Sequence, residues 1–238
     1  MLSRRSYFPC ALEEKLMRTV VGFLAVTFLL SAYVPAFAQL CDQKFLSLSS
    51  SSSLPSPSSP VVKPSKQETG AWCWAASTQM VMEFHRKRSK QLAAAFDGEP
   101  VSQCKIVNDI YHGGRNECCG NKMYGDSCSR GGWPESVLGR YNFYFLTLLP
   151  PDAPLTWDEV KAQICRYGPF VFGIEWDDGG RHSFVARGYK VDSRGQQWVE
   201  IYDHFEDDFF WQVYEEFAGD PAKGYEHSRD YVYIQPPP

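Results

Sequence analysis

The stretch that decides the fold is Gln67-Glu68-Thr69-Gly70-Ala71-Trp72-Cys73-Trp74-Ala75-Ala76-Ser77. From residue 72 to residue 88 the chain has neither Gly nor Pro, and Ala76, Met80, Val81 and Phe84 recur at helical spacing. That pattern predicts a helix with one buried stripe. The cysteine then falls in its first turn, flanked by Trp72 and Trp74. Backbone N–H groups at a helix N-terminus stabilise a thiolate, which is the nucleophilic form of the side chain. Gln67, six residues upstream, can fold back toward the same point. Its amide, with the backbone N–H of Cys73, would form an oxyanion hole.

Working outward, residues 101–111 and 134–140 read as further helices, the second with Pro134 at an early helical position. Thr156 followed three residues later by Glu159 is a capping box, opening a helix that runs to about Tyr167 and stops at Gly168-Pro169. The period then changes. Strands are predicted at 170–176, 183–189, 198–202, 209–214 and 231–234, with a turn at 177–180. Helices first and an antiparallel sheet later is an α+β arrangement.

A cysteine nucleophile needs a base, and the base an orienter. The best base is His182, after Gly179-Gly180 at the mouth of a predicted strand. Asp203 ends the next strand, where antiparallel pairing can set it beside the ring and fix its tautomer. His204 is the second choice. His85, twelve residues along the helix from Cys73, would be about 18 Å away at ~1.5 Å per residue and out of reach. His112 and His227 fall in loop-like surroundings with no visible partner. Trp72 and Trp74 read as packing or as a shield for the thiolate.

Over residues 67–234 the chain resembles the papain-like cysteine peptidases, in their compact bacterial exported branch of staphopain-like and plant-pathogen effector enzymes. The residues that carry the resemblance are Gln67, Cys73-Trp74-Ala75-Ala76-Ser77, Gly180 and His182, and Asp203. The resemblance implies a helical half whose nucleophile helix packs on a C-terminal antiparallel sheet. It also implies Cys73 as nucleophile, His182 as base and acid, Asp203 as orienter and Gln67 as oxyanion donor. The family often has Asp-Pro at the orienter, whereas this chain has Asp203-His204 followed by Glu206-Asp207-Asp208, which can displace Asp203. The expected activity is hydrolysis of protein or peptide substrates through a thioacyl-enzyme, with no cofactor and no metal. Two alternatives use the same residues: acyl transfer or deamidation by the same triad, and a silent binding module.

The chain has 238 residues and a net charge of −4, so it offers no basic surface for nucleic acid. Residues 17–38 read as a short basic start, an apolar run and Ala36-Phe37-Ala38, a secretory signal ending at 38. Either Met17 is the true start or Arg4-Arg5 belongs to a twin-arginine signal. Removing 1–38 takes four of 24 basic and two of 28 acidic residues, leaving 20 against 26 and no expected membrane anchor. Residues 39–66, rich in Ser and Pro, are expected as a linker, with the domain at 67–235 and a proline tail at 236–238. That linker is too short for a folded inhibitory pro-segment, so redox state, a separate inhibitor or a host factor is expected to limit activity. Secretion or a periplasmic location follows. With Cys10 removed and Cys73 free, Cys41, Cys104, Cys118, Cys119, Cys128 and Cys165 remain for disulfides, with fifteen pairings open. Zinc is the competing reading of the 104–128 cluster, against which the adjacent Cys118-Cys119 lacks ligand spacing.

Overall fold

The core of the protein is a six-stranded sheet that carries helices on both faces. A computed structural model describes residues 63–88 and 101–237. The chain divides into Met1–Phe37, which lies outside the described residues, and Ala38–Pro238. The expected signal segment and the first part of the linker, through residue 62, also fall outside them.

Among the described residues three α-helices precede the sheet: α1 (Cys73–Arg88), α2 (Gln103–Tyr111) and α3 (Pro134–Arg140). β1 (Tyr144–Leu148) and α4 (Trp157–Arg166) come next, then β2 (Phe170–Trp176), β3 (Arg181–Val191), β4 (Gln197–Asp203) and β5 (Asp208–Val213). The short α5 (Tyr214–Phe217) and β6 (Tyr225–Gln235) complete the fold. The sheet order is β1-β6-β2-β3-β4-β5, and every pair is antiparallel. This is an α+β fold.

Side chains alternate across a strand, and here both faces are apolar. Val171, Val185, Tyr202 and Tyr231 point to one core with Trp74, Met80, Val81 and Phe84 of α1. Phe170, Phe172, Ile174, Ala186, Val199 and Ile201 point to the other, with Val160 and Ile164 of α4. Double-sided burial explains why residues 170–174 read as a continuous apolar run rather than an alternating one.

The capping box opens α4, with the Thr156 hydroxyl accepting from Glu159 N–H and the Glu159 carboxylate accepting from Thr156 N–H. Such a cap is worth about 1 kcal/mol. Two elements differ from expectation. β1 was not anticipated, because it is an edge strand paired only to β6 and half of its side chains face water. β6 begins at Tyr225 rather than at 231, and two polar residues of its first half, His227 and Asp230, are buried. His227 and Asp230 lie 2.9 Å apart with fully buried side chains, His227 Nδ1 faces Phe217 C=O, and Asp230 accepts Leu155 N–H. A strand is thus formed by residues whose polar groups are satisfied inside the core. His227 therefore has partners and is not in a loop.

The last residues of the expected linker bond to the domain. Lys66 C=O accepts from Gln103, and Ser65 C=O faces His204 Nδ1 at 2.8 Å, so at least Ser65 and Lys66 are tied to the domain. Disulfides join Cys104 to Cys119 and Cys118 to Cys128, stapling the chain between α2 and α3. Cys165 is disulfide-bonded as well, and Cys41 lies outside the described residues. No helix among the described residues is long and apolar enough to cross a membrane.

Candidate active site

Cys73 is the first residue of α1, and Ala76 N–H donates to Trp72 C=O, so the helix ladder starts directly beneath it. No acidic residue occupies the first turn, while His85, Arg86, Lys87 and Arg88 stand in the last. Both features suit the helix dipole and leave the N-terminal end electropositive. Cys73 is the free cysteine among the described residues, and it is half-buried.

The sheet supplies the other two groups. β3 and β4 pair Val185 with Tyr202, so the start of β3 and the end of β4 share one edge of the sheet. His182 is the second residue of β3 and Asp203 the last of β4. His182 Nε2–H donates to Asp203 Oδ1 at 3.1 Å. Cys73 and the same ring shift one another's pKa, and with Nε2 on Asp203 the nitrogen that remains for the sulfur is Nδ1. Phe184 packs edge-on to the ring at 4.4 Å between centroids, and Trp176 lies beyond at 6.3 Å.

Electrostatics sort the protons. Burial alone would push the His182 pKa down, but hydrogen bonds to Asp203 and Cys73, and their charges, outweigh it and raise it to about 9. Burial would raise the Cys73 pKa. The His182 hydrogen bond and charge, with backbone N–H groups of Ser183 and Trp74, overcome that and lower it. Burial of Asp203 is likewise outweighed by His182 and by Phe205 N–H, and its pKa is lowered. The three shifts run the same way: each favours the charged form of its group, thiolate at Cys73, imidazolium at His182 and carboxylate at Asp203.

The acidic run after Asp203 does not displace it. Asp203 Oδ1 also accepts Phe205 N–H at 2.8 Å, and Asp207 N–H donates to Asp203 C=O. The Asp207 carboxylate takes the Tyr202 hydroxyl, so this charge is used in building the β4–β5 turn. His204 is fully buried with Nδ1 on Ser65 C=O, and burial first, then the His182 charge, push its pKa down to about 4. It is held in the core as a neutral ring. His85 is buried far along α1, and His112 caps α2 beside Glu117 at 3.2 Å.

Gln67 is buried where the chain enters α1. Its N–H donates to His204 C=O at 3.0 Å, which fixes it beside the Asp203 end of β4, and its Nε2 donates to Thr69 C=O at 2.8 Å. Its Oε1 has no partner.

Cys73 and His182 lie in a groove of about 480 Å³. One wall is the 131–133 segment, held in place by α1: the Trp72 indole N–H donates to Cys128 C=O at 2.8 Å and that of Trp74 to Arg130 C=O at 3.2 Å. Gly132 lies so close to Trp74 that a Cβ there would come within 2.5 Å of the indole. The tryptophans beside Cys73 thus position a wall as well as fill the core. Arg181 and Arg229 stack against Trp133 of this segment, and Ser183 also lines the groove. Trp133 and Arg229 escaped the sequence reading, since neither has a local motif and they come from α3's entrance and the last strand.

As for metal ligation, His112, Cys118 and Cys128 place ligand atoms within 4.8 Å of one another, but the two sulfurs are joined in a disulfide. Comparison with known proteins finds no matching family model and no matching curated protein.

Proposed function

We propose that this protein is an exported papain-like cysteine peptidase. The observation that carries the reading is the row Cys73–His182–Asp203, in which the Cys73 pKa is lowered and the His182 pKa raised, with Cys73 and His182 lining a groove. In this reading the Cys73 sulfur attacks a peptide carbonyl and forms a C–S bond. The C–N bond then breaks as His182 gives its Nδ1 proton to the leaving amine. The neutral ring next takes a proton from water, whose oxygen attacks the thioester and releases the acid and the thiolate. Asp203 holds the ring so that Nδ1 stays aimed at the sulfur and stabilises its charged form.

Oxyanion stabilisation falls to the Cys73 N–H, one of the helix-start donors with no intrahelical acceptor, and to Gln67. One Gln67 amide hydrogen goes to Thr69 C=O and the second is left to give. Export agrees with two disulfides in the described residues, a bond type that persists in oxidising compartments.

The test is Cys73→Ala. It is expected to abolish peptide hydrolysis while circular dichroism and thermal unfolding stay those of the parent. Full hydrolysis by this variant overturns the proposal. Adding a primary amine and weighing the products separates hydrolysis from acyl transfer.

A further inference from the structure

The groove beside Cys73 is lined by two guanidinium groups, Arg181 and Arg229, and by no aspartate or glutamate among the described residues. In a chain of net charge −4 that is a local reversal of sign. Both cations are held over the indole of Trp133, with Arg229 Cζ 3.9 Å and Arg181 Cζ 4.9 Å from the ring centre. An aromatic face fixes a guanidinium plane while leaving its N–H edge free to donate. Gly173 makes the room, because a Cβ there would meet Arg229 Cγ at 3.2 Å.

The carboxylates near these cations stand outside the groove lining. Glu175 takes Arg181 with both oxygens, at 2.9 Å from Nε and 3.3 Å from Nη2, so Arg181 is already paired and Arg229 is the cation with the larger unfilled capacity. Glu135 is 3.8 Å from Arg229 Nη1, beyond hydrogen-bond length, and its other oxygen takes the Tyr231 hydroxyl at 2.6 Å. Arg229 Nε is buried with no acceptor, so the N–H groups that can meet a ligand in the groove are those of Nη1 and Nη2. A guanidinium offers five donors, so Arg229 keeps capacity that the protein does not fill. Its partial burial, at 18% side-chain exposure, makes a bond to an incoming anion less screened than at an open surface.

We propose that the groove takes peptides with an acidic side chain beside the bond presented to Cys73, read by Arg229 with Arg181 next to it. The word "substrate" here rests on the peptidase reading; recognition of the carboxylate does not. Arg suits this task because its planar fork matches a carboxylate in a two-bond geometry.

The experiment uses a set of fluorogenic peptides in which Glu or its isostere Gln is placed at each position within three residues of the cleaved bond. For the parent protein, kcat/KM is expected to favour Glu over Gln at one position by about tenfold or more. Arg229→Gln is expected to bring that ratio near one, and Arg181→Gln to reduce it by less. In parallel, Cys73→Ala is titrated with the same peptides by calorimetry, where the Glu peptide is expected to bind more tightly by a similar factor, with the difference shrinking at high salt.

Hydrolysis without preference between Glu and Gln, and equal binding by Cys73→Ala, overturns the inference while leaving the peptidase reading intact. Absence of hydrolysis with a retained Glu preference in binding overturns the peptidase reading and supports the inference. Should Arg229→Gln fail to fold, the parent's Glu/Gln ratio and the Arg181→Gln ratio still decide it.

Discussion

Replacing Asp203 by alanine removes the acceptor 3.1 Å from His182 Nε2 and leaves the rest of the row in place. The bond is part-buried, with side-chain exposures of 12% and 20%, so solvent screens it only partly. A hydrogen bond to a charged group contributes about 1.5–3 kcal/mol, and one pH unit corresponds to ~1.4 kcal/mol. Losing it should therefore lower the His182 pKa by about one to two pH units, from about 9. The sign is fixed by the chemistry. Above this pKa the ring has no Nδ1 proton for the leaving amine, so the alkaline limb of kcat/KM moves toward neutral pH in Asp203→Ala. The acidic limb, set by Cys73, moves much less while the imidazolium persists. General acid–base catalysis contributes about 10²–10⁴-fold, so a ring that is no longer oriented costs at least tenfold in kcat/KM at pH 7. The assay is a pH profile of peptide hydrolysis from pH 5 to 10 for the parent, Asp203→Ala and Asp203→Asn. The asparagine variant keeps an acceptor without its charge and should fall between. An alkaline limb that stays in place in Asp203→Ala would refute the reasoning.

Three further outcomes are expected. Gln67→Ala should lower kcat by on the order of 10²–10³ while the alkylation rate of Cys73 is unchanged, because the thiolate does not depend on it; a slowed alkylation would assign Gln67 a structural role instead. Trp72→Phe deletes the indole N–H that serves Cys128 C=O at 2.8 Å, and the stranded buried carbonyl should cost about 1–3 kcal/mol in urea unfolding; a loss under half of that would show the wall is held otherwise. His85 is buried with Nε2 unpartnered, and burial, then the Arg88 charge, depress its pKa from 6.5 to about 4. The unfolded chain binds this proton first, so the stability tied to a neutral ring is present above pH 6.5 and is lost as pH falls toward 4. His85→Leu should remove roughly 2 kcal/mol of the destabilisation between pH 6.5 and pH 5; parallel pH–stability curves for parent and variant would contradict this.

Several elements were legible because their signals are local. Thr156 and Glu159 announced α4 through side chains three residues apart, and the Gly/Pro-free run from 72 to 88 with its apolar stripe announced α1. Cys73 and His182 were legible for the same reason, one at a helix start and the other behind glycines at a strand start. Asp203 needed one further step, the pairing of two successive strands. What stayed hidden depends on distant partners. The segment from Glu226 to Asp230 reads as polar loop until His227 and Asp230 are seen to satisfy one another inside the core. β1 is exposed along much of its length and is a strand only because β6 runs beside it. The Trp133–Arg229 wall brings together residues 96 positions apart, which no spacing rule connects. His204 was weighed as a base on proximity in sequence, and the alternation of side chains along the strand end sends it into the core instead.

The central claim is that Cys73 exists as a thiolate near neutral pH, and the most direct measurement is its alkylation rate by iodoacetamide from pH 4 to 10, with the modified site mapped by mass spectrometry. The account predicts selective modification of Cys73 in the unreduced protein, with a rate that reaches its half-maximum well below the ordinary thiol value of ~8.5. A rate that rises only through that ordinary value, or a Cys73 that stays unmodified while the protein is folded, would contradict it.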